Sequence, residues 1–317
     1  MQVNSQKIVV LGTGGTIAGT SATRGDNIGY TAAQVGVEQL LHGVPGLQAV
    51  ACGGLEAEQL AQLDSKDMEF SVWQVLAERC TSALADPEVR GVVITHGTDT
   101  LEETAWFLHS VLDARKPVVL TCAMRPATAL TPDGPQNLLD AVAVATTAGA
   151  RGVMVVAAGV VHGAQCVQKV HPYRVDAFSS GDAGPLGWVE EGVVRLVQGW
   201  PLAQSGEAQF AIGRVANCVQ WPRVEVVMSY AGATGALVDA LVRDGVQGIV
   251  VAATGNGTLH HVLESALLRA QAAGVKVMRS TRCPEGQVLP RPGDALPDSR
   301  GLSPVKARIS LMLDLLP

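Results

Sequence analysis

Short apolar runs alternate with longer amphipathic segments along most of the chain. Seven runs rich in Val, Ile and Ala have the length of strands, and they cover residues 7–11, 91–95, 117–121, 152–157, 224–228, 247–252 and 276–279. Between them lie segments with helical spacing, among them residues 66–84 and 99–112, and Ser65 is expected to cap the first of these. Strands that alternate with helices are typical of βαβ units, so the pattern predicts an α/β fold with buried parallel strands.

The alternation is lost over residues 199–221, where Pro and Gly interrupt a polar stretch. The chain has 317 residues, and a single hydrophobic core seldom grows beyond about 250 to 300 residues. We therefore expect an N-terminal α/β domain over residues 1–198, a linker over 199–221 and a smaller α/β C-terminal domain over 222–317.

Charge and composition exclude several kinds of partner. The net charge is −6, and the sequence has no Lys/Arg tract of the kind that attracts a nucleic acid. No apolar run approaches the roughly 18 residues of a membrane span, and the first residues lack the features of a signal peptide. The six cysteines have no C-x-x-C spacing and lie in or beside apolar runs, which predicts reduced, buried thiols. We expect a cytoplasmic protein without nucleic-acid or membrane partners.

Two predicted strands end in polar loops that could carry chemistry. The first strand runs into the glycine-rich segment 12–19 (GTGGTIAG), and the second runs into residues 96–100 (HGTDT). Ligands of open parallel sheets bind beyond the carboxyl ends of the strands, so both loops are expected to face one crevice. The glycine loop fits neither the dinucleotide nor the P-loop pattern. Taken alone, it could be a flexible strand exit, and Thr98 or Asp99 could be a helix N-cap.

Together, the two loops resemble the two signature segments of bacterial L-asparaginases, TGGTIAG at residues 13–19 and THGTDTLEET at 95–104. Further segments similar to that family follow in order: AMRP at 123–126, DGP at 133–135 with Asn137, GPLG at 184–187, GNG at 255–257 and RSTR at 279–282. The resemblance spans nearly the whole chain. It implies a flavodoxin-like N-terminal domain, a smaller α/β C-terminal domain, and hydrolysis of L-asparagine to L-aspartate and ammonia without a cofactor.

The resemblance also implies roles for particular residues. The catalytic groups of the family match the nucleophile Thr16, its hydroxyl partner Tyr30 on a mobile loop, and a second constellation of Thr98, Asp99 and Lys169. A carboxylate-binding residue of the family matches Ser65, and the expected substrate-binding set is Gly15, Ser65, Gly97, Thr98 and Asp99.

These residue types suit amide hydrolysis. A Thr hydroxyl is a weak nucleophile and needs a neighbouring base or relay to take its proton. Asp99 offers an anion for an α-ammonium group, the N–H groups near Ser65 suit an α-carboxylate, and the N–H of Thr98 could donate to an oxyanion. As an isolated residue, Lys169 would instead be an exposed charge. The polar, glycine-rich segment 16–30 indicates a lid, although taken alone it could be an ordinary surface loop.

Several features qualify the resemblance. The seven histidines lack the spacing of metal ligands, so no metal and no cofactor are expected. The family implies a homotetramer, a dimer of dimers. Lys66 and Thr258 depart from the family pattern, and the shortened segment 284–299 offers no acid that can be assigned to support Tyr30.

The ratio of asparagine to glutamine turnover stays open. So do two other functions, an ammonia-releasing amidotransferase subunit and a catalytically silent amino-acid sensor.

Overall fold

The computed structural model describes residues 6–202 and 207–317. The chain folds into two compact units. The first unit ends at Ile212 and the second comprises Gly213–Pro317. A helix, Glu207–Ala216, lies within the segment expected as a linker, and residues 203–206 of that segment are outside the described residues. The domain boundaries at 198 and 222 stay a prediction.

The strands belong to one large and two small sheets within the described residues. In chain order they are β1 (Lys7–Gly14), β2 (Leu55–Leu63), β3 (Val89–Thr95), β4 (Pro117–Thr121), β5 (Gly152–Ala157), β6 (Val160–Gly163), β7 (Gln168–Lys169), β8 (Phe178–Ser179), β9 (Gly187–Glu190), β10 (Val193–Leu196), β11 (Val224–Met228), β12 (Gly248–Ala253) and β13 (Lys276–Thr281).

The first unit is built on an eight-stranded sheet with the order β10-β9-β6-β5-β4-β3-β1-β2. Five of these strands are parallel and lie in the order β2-β1-β3-β4-β5, which is the flavodoxin order. The strands β6, β9 and β10 extend the sheet in antiparallel pairs. The flavodoxin-like α/β fold implied by the resemblance is confirmed.

Helices cover both faces of this sheet. In chain order the helices of the described residues are α1 (Val37–His42), α2 (Leu47–Ala51), α3 (Phe70–Ala85), α4 (Leu101–Val111), α5 (Gly134–Thr146), α6 (Glu207–Ala216), α7 (Ala236–Arg243), α8 (His261–Ala272) and α9 (Pro304–Asp314), of which α7 to α9 belong to the second unit. Successive strand residues point to opposite faces, and Ile8 and Val9 in β1 are both buried. Ile8 packs in a cluster with Leu138 and Val142 of α5. Burial on both faces explains the nearly continuous apolar runs in the sequence.

The second unit has its own parallel sheet, with the order β11-β12-β13. Ile249 and Val251 of β12 are fully buried, and they pack with Leu263 and Leu267 of α8. On this sheet, the backbone at Gly248 lies so close to α9 that an added Cβ would be 3.0 Å from a methyl group of Leu311. Across the described residues, no helix combines the length and apolarity needed to cross a membrane.

Most strands were predictable, but the edge of the large sheet was not. Three predicted strands have the observed bounds: Pro117–Thr121, Gly152–Ala157 and Val224–Met228. The strand β2 was missed because it lies at the edge of the sheet, and its half-exposed residues are mainly polar and small. The antiparallel strands after β5 were missed because each has only two to four residues, which is too short for a visible alternation.

The prediction that Ser65 caps a long helix is wrong. Ser65 lies inside a short 3-10 turn, Ser65–Asp67, and α3 begins only at Phe70. The turn is capped by Asp64, whose side chain accepts a hydrogen bond from the N–H of Lys66. The two residues between the turn and α3 have extended backbone, so the chain leaves the turn before the helix begins.

The predicted burial of the cysteines is wrong for two of them. All six are free thiols, but Cys52 and Cys283 are exposed. Cys52 is the residue directly after α2, in which Leu47 and Ala51 are buried, and its backbone is left-handed, with φ of 50°.

Candidate active site

The two signature loops meet at the carboxyl edge of the parallel sheet. Strand β1 pairs with β3, with Gly12 opposite Thr95, and both loops begin just beyond that point. Gly15 has φ of 82°, and a Cβ there would lie 2.3 Å from the Cα of Gly97. A Cβ on Gly97 would in turn lie 2.5 Å from the hydroxyl oxygen of Ser65. Only glycine fits at both positions, so three loops are in direct contact around this point.

The first group of candidate catalytic atoms is the pair of hydroxyls on Thr16 and Tyr30. Thr16 begins a 3-10 turn, Thr16–Ala18, directly after the glycines, and it is 7% exposed. Its Oγ1 is 2.7 Å from the hydroxyl oxygen of Tyr30. An antiparallel bridge between Thr20 and Thr31 joins the two ends of the segment that was expected to form a lid and that carries Tyr30. Two hydroxyls at this distance form a hydrogen bond through which a proton can pass.

The second group is formed by Thr98, Asp99 and Lys169. The ammonium of Lys169 donates to Oγ1 of Thr98 at 2.8 Å and to Oδ1 of Asp99 at 2.6 Å. The Lys169 side chain is 18% exposed, whereas that of Asp99 is 52% exposed. The N–H of Lys169 donates to the carboxylate of Glu102 at 2.6 Å, which fixes the strand β7 against the start of α4. Lys169 is therefore not the exposed charge that an isolated lysine would be.

Ser65 is nearly completely buried and belongs to the same group. Its Oγ accepts a hydrogen bond from the N–H of Asp99 at 3.1 Å, and its carbonyl oxygen accepts one from the hydroxyl of Thr100 at 2.8 Å. The N-cap of α4 is Thr100. Neither Thr98 nor Asp99 is therefore the N-cap of α4, which was the alternative role for these two residues.

Lys66 lies next to this group but is held by acids. Its ammonium is 2.6 Å from Asp64 and 3.3 Å from Asp67, and 60% of the side chain is exposed. The hydrogen bond with Asp64 raises the pKa of Lys66, against a smaller effect of desolvation. Lys66 stays charged, and the two acids reduce the field that this cation exerts on the site.

The sequence analysis did not identify His96, a residue of the second loop whose buried imidazole hydrogen-bonds to the backbone of that loop. His96 is completely buried, with Nδ1 2.7 Å from the carbonyl oxygen of Gly97 and Nε2 2.9 Å from the hydroxyl of Thr104. The indole N–H of Trp73 donates to that hydroxyl at 2.9 Å. Desolvation lowers the pKa of His96 to about 4, against a smaller effect of the Gly97 hydrogen bond. The ring is therefore neutral at pH 7.

The tautomer of His96 follows from its partners. A carbonyl oxygen can only accept, so Nδ1 carries the proton and Nε2 accepts from Thr104. The Gly97 carbonyl is thereby held toward the interior. No described peptide bond is cis, so the N–H of Thr98, in the same peptide unit, points the opposite way. The signal for these hydrogen bonds in the sequence was a histidine directly after the strand β3, which is apolar over residues 91–94.

The structure brings all eight sequence-predicted site residues to this edge of the sheet. Thr16 and Tyr30 form one contact, and Ser65, Thr98, Asp99 and Lys169 form the other. Gly15 and Gly97 join the two loops. Within the described residues, no group of three or more His, Cys, Asp or Glu side chains could hold a metal ion. A hydroxyl with a relay, beside a lysine–threonine–aspartate group, suits a hydrolase that attacks an amide carbonyl.

Comparison with known proteins gives the family. Residues 7–201 match the family profile "Asparaginase, N-terminal", and residues 223–316 match "Glutaminase/Asparaginase C-terminal domain". The chain belongs to the asparaginase family and is an amidohydrolase that acts on small amide substrates. Members of this family hydrolyse asparagine to aspartate. The resemblance stated from the sequence is confirmed.

Individual relatives are similar over almost the whole chain. L-asparaginase 2 of Escherichia coli (strain K12) is 38% identical over 97% of this chain and 88% of that protein. Glutaminase-asparaginase of Pseudomonas fluorescens biotype A is 36% identical over 97% of this chain and 86% of that protein. The solved structure of a probable cytoplasmic L-asparaginase from Campylobacter jejuni is 38% identical, covers 98% of this chain and 95% of that one, and has a TM-score of 0.91.

Proposed function

We propose that this chain hydrolyses L-asparagine to L-aspartate and ammonia with Thr16 as its nucleophile. The observation that carries the proposal is the 2.7 Å contact between the Thr16 and Tyr30 hydroxyls at the exit of β1. A threonine hydroxyl needs a partner that takes its proton, and Tyr30 accepts that proton while its own hydroxyl proton passes to solvent, which reaches this half-buried side chain. Attack of Oγ1 on the amide carbon then gives an ester to Thr16, and ammonia leaves.

The second group of residues completes the reaction in this proposal. The Lys169 ammonium, joined to Thr98 Oγ1 at 2.8 Å, supplies the proton that the leaving amine needs. The oxyanion accepts a hydrogen bond from the N–H of Thr98, and the hydrogen bonds of His96 with Gly97 and Thr104 hold that peptide in place. One such donor contributes about 3 to 4 kcal/mol to stabilisation of the transition state. Water then attacks the ester: one of its protons returns to Lys169, the other returns to the Thr16 oxygen as the ester bond breaks, and aspartate is released.

Substrate binding is assigned to groups that recognise both ends of an amino acid. The half-exposed carboxylate of Asp99 binds the α-ammonium group, and the hydroxyl of Ser65 donates to the α-carboxylate. Ser65 Oγ already accepts from the N–H of Asp99, so its own proton is free for that donation. The two anchors together select a free amino acid over a peptide amide.

The test is ammonia release from L-asparagine by the purified protein. Thr16→Ala should stay folded and lose at least 10²-fold in turnover, because it removes the bond-forming atom. Thr13→Val is a matched control, since Thr13 lies in the same loop and its hydroxyl donates to the carbonyl of Thr95. A Thr16→Ala protein with more than a tenth of wild-type turnover would overturn the nucleophile. Asparagine binding without ammonia release would favour the amino-acid sensor, and release that requires a partner protein would favour the amidotransferase subunit.

The homotetramer and the cytoplasmic location are also proposals. Relatives of this chain include a protein named as a probable cytoplasmic L-asparaginase and another named as a probable periplasmic one. The tetramer follows from the family resemblance and from the segment 255–257 that the chain shares with it. Light scattering at assay concentration tests the assembly, and a fully active monomer would contradict it.

A further inference from the structure

Among the described residues, the hydrogen bonds from the lid over Thr16 to sequence-distant parts of the first unit go to one short segment, residues 127–130. The N–H of Ala127 donates to the carbonyl of Gly19 at 2.9 Å, at the base of the lid. Farther out, the lid contacts Thr128 twice: the N–H of Ser21 donates to its hydroxyl at 2.9 Å, and the N–H of Gly25 donates to its carbonyl at 3.3 Å.

The lid itself is internally braced, so it can move as one piece. The carboxylate of Asp26 accepts from the N–H groups of Ile28 and Gly29 at 2.9 and 2.8 Å. These hydrogen bonds lower the pKa of Asp26, so the brace is charged and intact at neutral pH. The hydroxyl of Ser21 accepts from the N–H of Thr23 and donates to the carbonyl of Gly29. Closure of the lid therefore depends mainly on its hydrogen bonds to the segment 127–130 and on the contact between Tyr30 and Thr16.

The segment that receives the lid is rigid. The carboxylate of Asp133 accepts hydrogen bonds from the N–H groups of Met124 and Arg125, both at 2.9 Å. The N–H of Ala129 donates to the carbonyl of Pro126, which closes a turn around Thr128. The half-buried hydroxyl of Thr128 is thus presented at a fixed position, whereas the Ser21 amide belongs to the moving part.

We propose that Thr128 is the latch of the lid, a positioning residue whose hydroxyl keeps Tyr30 within hydrogen-bonding distance of Thr16. The proposal rests on the function assigned above, since it uses the hydroxyl pair as the catalytic contact. With the latch released, Ser21 and Gly25 leave the segment, and the Tyr30 hydroxyl moves away from Thr16 for a larger fraction of the time. Among the described residues, Thr128 has no hydrogen bond to Thr16 or to Lys169, Thr98 or Asp99.

The first measurement is hydrogen exchange of the lid amides, residues 20–29, in the whole protein. Thr128→Val keeps the shape of the side chain and removes the acceptor of the Ser21 N–H. One neutral hydrogen bond corresponds to about a two- to tenfold change in the open population, so lid exchange should accelerate by that factor. Thr128→Ser keeps the hydroxyl and should exchange like the wild type. A merely structural role would accelerate exchange in β4 as well.

The second measurement is kcat/KM for asparagine, which follows the closed fraction of the lid. It should fall in Thr128→Val by at most the same factor, and by less the more the resting lid is closed, and it should recover in Thr128→Ser. Thr131→Val is the matched control, because its hydroxyl accepts from Arg125 at 2.6 Å and has no hydrogen bond to the lid among the described residues. Unchanged lid exchange and kinetics in Thr128→Val would overturn the latch. If the wild type releases no ammonia while Thr128→Val still accelerates lid exchange, the latch stands and the proposed function fails.

Discussion

Acid should weaken the fold through one buried imidazole, that of His96. The ring is completely buried, and its contacts are with the Gly97 carbonyl and the Thr104 hydroxyl. Protonation would add a charge in a desolvated place. It would also put a second N–H against Thr104, which already accepts a hydrogen bond from Trp73. The perturbation is therefore a decrease in pH from 7.5 to 4.5.

The sign and size follow from the two pKa values of this histidine. In the unfolded chain the pKa is the ordinary value of 6.5, and in the folded protein desolvation lowers it to about 4. Between these values the unfolded chain binds a proton that the native protein does not bind. The stabilisation is thus complete above pH 6.5 and is lost as the pH falls toward 4. At 1.36 kcal/mol per pH unit, the loss is about 3 kcal/mol, a large part of a typical free energy of unfolding of roughly 5 to 15 kcal/mol.

The assay is urea unfolding at several pH values and one protein concentration, with a variant that cannot titrate. His96→Gln should be less stable than the wild type at pH 7.5, because it disrupts the relay to Gly97 and Thr104. The carboxylates titrate alike in both proteins and cancel in the difference. That difference should shrink by about 3 kcal/mol by pH 4.5. Parallel pH dependences in the wild type and the variant would refute the reasoning.

Three further predictions concern the site. Lys169→Met should lower kcat/KM for asparagine by at least 10²-fold, whereas Lys66→Met, at an exposed ammonium held by two acids, should change it less than tenfold. Gly97→Ala should lower activity and the thermal midpoint, because its Cβ would lie 2.5 Å from the Ser65 hydroxyl, and Gly199→Ala, in open space, is the control that should do neither. Asparagine should exceed glutamine in kcat/KM by about 10- to 200-fold, because both ends of the amino acid are fixed, and equal values would contradict this.

The loops at the ends of β1 and β3 were predictable because parallel strands leave a strong signal. Their apolar runs are buried on both faces, and the rule that ligands bind at the carboxyl ends directs attention to the residues that follow. The roles of Thr16 and Thr98 came from the family resemblance, while the residues alone left a flexible loop and a helix cap as alternatives. The structure removes the cap for Thr98 by assigning that position to Thr100.

Lys169 and His96 show what local patterns cannot reveal. Lys169 reaches Thr98 from a two-residue strand 71 positions later in the chain, held there by a carboxylate of α4. No periodicity marks such a strand, and an isolated lysine is expected to be exposed. The role of His96 depends on Trp73 from α3 and Thr104 from α4. Those partners come together only when the helices pack, so the sequence alone could not assign a tautomer or a lowered pKa.

The fixed and the moving parts of the site have different physical bases. Gly15 and Gly97 bring two loops into backbone contact, and the neutral His96 fixes the peptide that carries the Thr98 amide, so these donors keep their positions before substrate arrives. Such fixed dipoles need no reorganisation during the reaction, which is the source of their effect on the transition state. In the proposed mechanism Tyr30 is different, because it is expected to reach Thr16 only when the lid is closed. Substitutions in the rigid loops should therefore lower the rate of the chemical step, whereas substitutions at Thr128 should change the fraction of time that Tyr30 is in contact with Thr16.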